Sequence, residues 1–107
     1  MRTKPKVGEV WIADLGMAAK TRPVLVLAVP GSEDARTLVV VAPLTSQLRG
    51  MRGEVPLGRV QWLPKASAVN VNGIASFDPS RLERRLGCCS QQQMEAVKNA
   101  LRALLQL

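Results

Sequence analysis

The sequence predicts a mainly β protein, in which a small and strongly bent antiparallel sheet or barrel is followed by one C-terminal α-helix. The first observation is a pair of long apolar runs, residues 23–29 and 38–44, which are rich in β-branched side chains and flank a turn-forming segment at 30–36. The second is that no helical pattern separates these runs, which disfavours a parallel α/β fold. The third is an amphipathic helical pattern that begins only after Ser90. Together they favour five or six short strands and a terminal helix.

The first predicted strand, residues 7–14, alternates in polarity, so that Glu9 and Val10 face opposite sides of the sheet. Residues 15–21, which include Gly16 and Lys20, are predicted to form a loop that leads into the central strands.

The two central runs are predicted to pair as a hairpin around the turn at 30–36. The register then gives three cross-strand pairs: Ala28 with Val39, Val26 with Val41, and Arg22 with Thr45. Arg22 and Thr45 each stand where a strand meets a loop, so a cation and a hydroxyl share one face at the rim of the sheet. Such a pair can hold a phosphate.

After the hairpin, residues 47–53 contain two glycines and the cations Arg49 and Arg52, which predicts a basic loop. Residues 54–57 form a short predicted strand. Pro56 places this strand at an edge of the sheet, because proline cannot donate a hydrogen bond to a neighbouring strand.

Residues 66–77 alternate well enough to form a strand pair or one bent strand, with Gly73 at a bulge or bend. Asp78 followed by Pro79 predicts an N-capped single helical turn over residues 78–82.

The terminal helix is predicted from a capping box, Ser90 with Gln93, and from apolar residues at helical spacing behind it: Met94, Val97, Leu101, Leu104 and Leu105. This apolar stripe is expected to belong to the core or to a dimer surface rather than to a membrane contact.

The composition limits the classes of function. A chain of 107 residues with 47% apolar content fits a single domain over residues 1–107 with a real core. No segment has the length of a membrane span or the pattern of a signal peptide, so the expected location is the cytoplasm. Cys88 and Cys89 are interpreted as reduced, small apolar residues, and with no histidine in the chain no common zinc site and no cofactor are expected. The net charge of +7 suits nucleic acid or an acidic protein partner, although charge that serves only solubility is an alternative.

Six blocks of sequence carry a resemblance to a known family, and they occur in a fixed order: residues 8–15 (GEVWIADL), 21–27 (TRPVLVL), 40–47 (VVAPLTSQ), 54–57 (EVPL), 63–67 (LPKAS) and 78–82 (DPSRL). With the closing helix, this set closely resembles the MazF/PemK family of toxin endoribonucleases. The resemblance implies an SH3-like barrel of the Kid and CcdB kind and a homodimer. It further implies metal-independent, sequence-specific cleavage of single-stranded RNA, with mRNA the expected target, and inhibition by an acidic antitoxin.

The resemblance also implies roles for individual residues. Arg22 and Thr45 match the catalytic pair, which agrees with the hairpin register. Further residues are predicted to line or border the RNA groove or to attract the RNA backbone: Glu9, Lys20, Ser46, Gln47, Arg49, Arg52 and Asp78.

Cleavage by attack of the RNA 2′-hydroxyl needs a base, a proton for the departing 5′-oxygen and positive charge for the phosphorane. Arg22 can supply the charge and Thr45 a hydroxyl donor to the same phosphate. The base is left open between Glu9 and Asp78, and for Asp78 a helix-capping role is the better interpretation because Pro79 follows it.

Two departures from the family pattern are visible. Gly73 and Ala75 stand where many relatives carry a Gln and an Arg, and the loop between the first two strands is shorter. One alternative is therefore a catalytically weakened barrel that still binds RNA or its antitoxin. A gyrase poison of the CcdB kind is a more distant alternative, because residues 104–107 (LLQL) lack the Trp-Gly-Ile ending of that group.

Overall fold

Seven strands and one α-helix make up the part of the chain that the computed structural model describes, which is residues 4–16, 21–31 and 37–107. The strands are β1 (Glu9–Asp14), β2 (Thr21–Ala28), β3 (Val39–Thr45), β4 (Glu54–Gly58), β5 (Ser67–Asn70), β6 (Ala75–Phe77) and β7 (Leu82–Cys88). The helix, α1, spans Gln91–Leu105. The predicted mainly β fold with a C-terminal α-helix is confirmed.

All strand pairs are antiparallel, in the order β4-β5-β3-β2-β1-β7. Strand β6 pairs with the first half of β3, while β5 pairs with the second half. The strand with Pro56, β4, stands at one end of this order, as predicted from its proline. The shared use of β3 is compatible with an SH3-like barrel, whose closure stays a prediction.

The register of the central hairpin is confirmed at Val26, which lies opposite Val41. The predicted pair of Ala28 with Val39 is wrong, because Ala28 lies opposite Val40. The register shifts between Val26 and Ala28, which is the signature of a bulge. Toward the candidate site the predicted register holds at Leu25 opposite Ala42 and at Val24 opposite Pro43, and the predicted pair of Arg22 with Thr45 stays a prediction.

Strand β7 was not expected from the sequence. Arg84 and Arg85 lie on this strand, whereas the helical turn before it ends at Arg81. Three of its residues in a row are exposed, so its sequence lacks the apolar alternation of a half-buried strand. Because β7 pairs only with β1 in the described part of the sheet, its outward positions face solvent and carry charge.

The two faces of the sheet are buried by different layers. On one face, fully buried Val10 and Leu25 belong to a cluster that Val97 of α1 completes. On the other, Trp11 and Leu82 belong to a second cluster that Phe77 partly covers. Because both faces are covered, the central strands read as continuous apolar runs.

The predicted turn and caps are present. Asp78 caps a single 3₁₀ turn, Pro79–Arg81, by accepting a hydrogen bond from the Ser80 amide at 2.8 Å. Another 3₁₀ turn, Val71–Gly73, makes the predicted bend between β5 and β6.

Helix α1 begins with the predicted capping box. The Gln93 amide donates to the Ser90 hydroxyl at 3.1 Å, and the Gln93 side-chain oxygen accepts from the Ser90 amide at 2.7 Å. The Gln93 side-chain NH₂ also donates to the Leu57 carbonyl at 3.2 Å, which joins the start of the helix to β4. In the described ranges, no helix is long and apolar enough to cross a membrane.

Candidate functional site

A cavity of about 310 Å³ opens at the rim of the sheet, where β2, β3 and β5 approach one another. Ten residues line it: Arg22, Pro23, Leu44, Thr45, Ser46, Gln47, Leu63, Pro64, Lys65 and Ser67. Four of the residues predicted for the site, namely Arg22, Thr45, Ser46 and Gln47, are thus brought together.

The hairpin register places Arg22 and Thr45 at this cavity. Val24 lies opposite Pro43 and Leu25 opposite Ala42, so the last residues of the two strands continue the same pairing direction toward the rim. Arg22 is exposed and Thr45 is half-buried. Arg22 and Thr45 therefore line one solvent-accessible space from the two strands of one hairpin, which favours a preorganised site.

The hydroxyl of Thr45 is oriented by the loop that follows β3. Its oxygen accepts a hydrogen bond from the Gln47 amide at 3.1 Å, while its proton is aimed at the Gln47 carbonyl at the long distance of 3.5 Å. A phosphate oxygen in the cavity would be a stronger acceptor than this distant carbonyl, because charge-assisted hydrogen bonds are shorter and stronger. The loop therefore fixes the oxygen and leaves the proton available.

Lys65 and Ser67 also line the cavity, and neither is among the site residues predicted from the sequence. Ser67 is buried at the start of β5, and its hydroxyl donates to the Lys65 carbonyl at 3.1 Å. Both residues belong to the block Leu63–Ser67, which is one of the six that carry the family resemblance. The block lies near Thr45 only because β5 pairs with β3, and this long-range pairing is not visible in a local sequence pattern.

The predicted basic loop, residues 47–53, does not bring its two arginines to the Arg22 cavity. Arg49 and Arg52 are exposed and are absent from the lining of the Arg22 cavity. Arg52 instead lines a separate cavity of about 290 Å³ against the C-terminal half of α1, and the Glu54 carboxylate folds the loop by accepting from the Arg49 amide at 2.9 Å. Lys20 lies outside the described residues.

Glu9 serves as a hydrogen-bond acceptor inside the fold. Its carboxylate accepts from the Lys6 amide at 2.8 Å, from the Trp11 indole N–H at 3.1 Å and from Arg85 Nε at 2.9 Å. Burial raises the pKa of the Glu9 carboxyl, but these three hydrogen bonds and the charge of Arg85 outweigh burial and hold the pKa below its ordinary value.

Glu9 is also remote from the cavity. Arg22 lies opposite Ala13, which is four residues further along β1 than Glu9, a separation of roughly 13 Å along the strand. Glu9 is not among the residues that line the cavity.

Asp78 is likewise remote from the cavity, because it lies near the start of β3 whereas Thr45 lies at the end of β3. Phe77, which precedes it, lies opposite Val39 at the start of β3, whereas Thr45 ends β3. The backbone amide of Ser80, and then the Ser80 side chain, hold the pKa of the exposed Asp78 carboxyl below its usual range. The better of the two interpretations for Asp78, a helix cap, is confirmed.

No group of three or more metal-ligating side chains occurs among residues 4–16, 21–31 and 37–107. Both cysteines are free thiols. Cys88 is exposed, whereas Cys89 is buried, and burial with a smaller effect of Cys88 raises the pKa of Cys89 to about 11. Only Cys89 thus fits the interpretation as a small core residue.

The cavity combines cations with neutral hydrogen-bond donors. Arg22 and Lys65 supply charge, Thr45 and Gln47 supply donors, and none of its lining residues is a carboxylate or an imidazole. This arrangement can bind a phosphate and stabilise additional negative charge on it.

Comparison with known proteins gives a consistent result. The family model described as PemK-like, MazF-like toxin of type II toxin–antitoxin system matches residues 6–105. The probable endoribonuclease MazF5 of Mycobacterium tuberculosis is 33% identical over 102 residues, which cover 94% of this chain and 93% of that protein.

Solved structures agree. The toxin MazF-mt6 of Mycobacterium tuberculosis superposes with a TM-score of 0.79 at 31% identity, covering 92% of this chain and 97% of the other. A mycobacterial endoribonuclease in complex with its cognate antitoxin gives a TM-score of 0.81 at 26% identity, with 96% of each chain covered.

Proposed function

Because this chain belongs to the PemK-like, MazF-like toxin family of type II toxin–antitoxin systems, we propose that it is an endoribonuclease that cleaves single-stranded RNA, with mRNA as its substrate. The proposed reaction is sequence-specific, needs no metal ion or cofactor, and proceeds by attack of the 2′-hydroxyl. The single toxin domain spans residues 1–107 and acts in the cytoplasm. The observation that carries the proposal is that Arg22 and Thr45 line one accessible cavity.

In this proposal Arg22 and Thr45 are the catalytic residues. Arg22 forks onto two oxygens of the scissile phosphate, and its permanent charge stabilises the phosphorane as charge builds up on it. Thr45 donates its proton to the same phosphate, while the Gln47 amide holds its oxygen in place. Each preorganised donor of this kind contributes about 2.7–4 kcal/mol to lowering the barrier.

The proposed role of the protein in proton transfer is small. The carboxylates of Glu9 and Asp78 are engaged elsewhere in the fold, and no carboxylate lines the cavity. Solvent therefore takes the proton from the 2′-hydroxyl as its oxygen bonds to phosphorus, and solvent gives a proton to the 5′-oxygen as its bond to phosphorus breaks. The protein contributes positioning and charge.

The test is cleavage of a long RNA by the purified protein in excess chelator, with the new 5′ ends mapped. Arg22→Ala should lower kcat by about 100- to 1,000-fold, because it removes a donor to the developing charge. Arg102→Ala is the matched control, since Arg102 lies exposed on α1 and its side chain donates a hydrogen bond to Asn99 on the same helix. Cleavage that chelation abolishes, or that survives in Arg22→Ala, contradicts the proposal.

An acidic antitoxin is the proposed protein partner. The net charge of +7 favours it, and so does the similarity of this chain to the solved structure of MazE–MazF from Deinococcus radiodurans. A titration with an acidic antitoxin should stop cleavage. If the acidic antitoxin failed to bind while the protein still cleaved RNA, the partner proposal would be refuted and the enzymatic proposal would stand.

A homodimer is proposed as the functional assembly. Leu104 and Leu105 on α1 are 41% and 51% exposed, which is apolar surface that a second copy can cover. Sedimentation of the purified protein at micromolar concentration should give a dimer, and a monomer under these conditions would exclude it.

The weakened-barrel alternative is an outcome of the same cleavage assay, namely RNA binding without new 5′ ends. Gly73 and Ala75, on which it depends, are not among the residues that line the cavity.

A further inference from the structure

Lys65 is a second cation in the cavity that holds Arg22. No carboxylate among the lining residues balances these two charges. The volume of about 310 Å³ is at the small end of ligand pockets, which run from about 300 to 1,000 Å³, so the cavity suits a group of about the size of one nucleotide with its flanking phosphates. Two cations around such a space favour an anion with charge at more than one position.

The backbone fixes where Lys65 enters the cavity. Ala68 on β5 lies opposite Thr45, and Lys65 precedes Ala68 by three residues, a chain length of about 10 Å. The buried Ser67 hydroxyl binds the Lys65 carbonyl at 3.1 Å and so ties this position to the start of β5. The side chain of Lys65 itself is exposed, which lets its ammonium group stay at the solvent side of the cavity.

The two cations differ in the phosphate they suit. A planar guanidinium fits two oxygens of one phosphate, whereas an ammonium group is a compact and strongly hydrated point charge. Arg22 and Thr45 line the cavity from the two strands of the central hairpin, whereas Lys65 lines it from a separate segment that precedes β5. We propose that Lys65 binds the RNA phosphate next to the one held by Arg22, so that the cavity grips two consecutive phosphates and sets which bond is cut.

This inference rests on the proposed nuclease function and makes Lys65 a substrate-positioning residue. Its contact exists both before and during the reaction, so its loss should raise KM rather than lower kcat. Lys65→Met should raise KM about tenfold with kcat within about threefold of the wild-type value, while Lys65→Arg should restore KM. Lys98→Met on the exposed side of α1 is the matched control.

Salt dependence gives a second measure. An RNA oligonucleotide with a 2′-deoxy sugar at the mapped cleavage site can bind but not react. Each phosphate neutralised on a single strand contributes about 0.7 to the slope of log affinity against log salt concentration. Lys65→Met should therefore lower the slope by about 0.7, and Lys98→Met should leave it unchanged.

The decisive experiment neutralises single phosphates in the RNA. Oligonucleotides carry one methylphosphonate at the position 5′ or 3′ to the scissile phosphate, and kcat/KM is measured for the wild type and both methionine variants. The wild type and Lys98→Met should each lose about tenfold at one of the two positions, and Lys65→Met should show no further loss there.

Equal losses for Lys65→Met and the wild type at both positions would overturn the inference, as would wild-type KM and salt slope in Lys65→Met. Failure of the wild type to cleave any RNA would instead refute the proposed function. The thermal midpoint of Lys65→Met should match the wild type, because the side chain is exposed.

Discussion

Replacing Glu9 separates a role in the fold from a role in the reaction. The carboxylate joins the chain before β1 to the Trp11 indole and to Arg85 on β7, so both Glu9→Ala and Glu9→Gln should weaken the fold. Neither change should lower kcat for RNA cleavage by more than about threefold, because Glu9 is remote from Arg22 and Thr45 and contributes no group to the transition state.

The magnitude follows from the groups left behind. Trp11 is 4% exposed, and Glu9→Ala leaves its indole N–H without an acceptor, which costs about 1–3 kcal/mol. The ion pair with Arg85 adds at most about 1 kcal/mol, because the Arg85 side chain is 50% exposed and solvent screens the pair. Together, a loss of about 1–4 kcal/mol in the free energy of unfolding lowers the Tm of a domain of this size by roughly 4–30 °C.

The pH dependence has a definite sign. The pKa of Glu9 is lower in the folded chain than its ordinary value of about 4.3, so its charge stabilises the fold above that pH. This contribution is lost as pH falls through the lower, folded pKa. Glu9→Gln lacks it, so the stability difference from the wild type should be constant above about pH 5 and should shrink below about pH 4.

Urea unfolding followed by tryptophan fluorescence from pH 7 to pH 3 measures these differences. Glu83→Gln on the exposed side of β7 is the matched control. If Glu9→Gln abolished cleavage while its unfolding free energy stayed at the wild-type value, the structural assignment would be refuted and Glu9 would belong to the chemistry.

Two glycines give further predictions. A Cβ at Gly87 would lie 2.2–2.6 Å from three ring atoms of Trp62. Gly87→Ala should therefore lower the free energy of unfolding by about 1–3 kcal/mol and shift the tryptophan emission, because the ring is displaced. An unchanged urea midpoint would contradict this packing. A Cβ at Gly73 would lie 2.7 Å from Cγ of the Pro43 ring, so Gly73→Gln, which introduces the residue that the family resemblance implies at this position, should lower Tm without raising the cleavage rate. A gain in rate at unchanged Tm would show that a glutamine at this position promotes activity.

The central hairpin could be predicted because two physical signals agree there. β-branched runs and a turn-forming segment fix both the strands and their pairing, and the predicted opposition of Val26 and Val41 is confirmed. The bulge beyond Val26 could not be predicted, since one extra residue changes the pairing without a mark in composition.

The remaining misses depend on long-range contacts. Lys65 enters the cavity only because β5 pairs with β3, and a local pattern carries no information on that pairing. Strand β7 was missed because an edge strand carries charges such as Arg84 on its exposed positions. Glu9 was placed near the groove by resemblance, whereas its surroundings are fixed by Arg85, which is 76 positions away in sequence.

The contact between Gln93 and the Leu57 carbonyl has a consequence for biosynthesis. One side chain both starts α1 and fastens it to β4, and Val97, one turn later, fills the layer beneath Val10 and Leu25. A nascent polypeptide lacks this closing layer until α1 has emerged from the ribosome. The strands that carry Arg22 and Thr45 therefore stay incompletely packed until α1 docks on them, so the cavity that they line is completed only after α1 has been made.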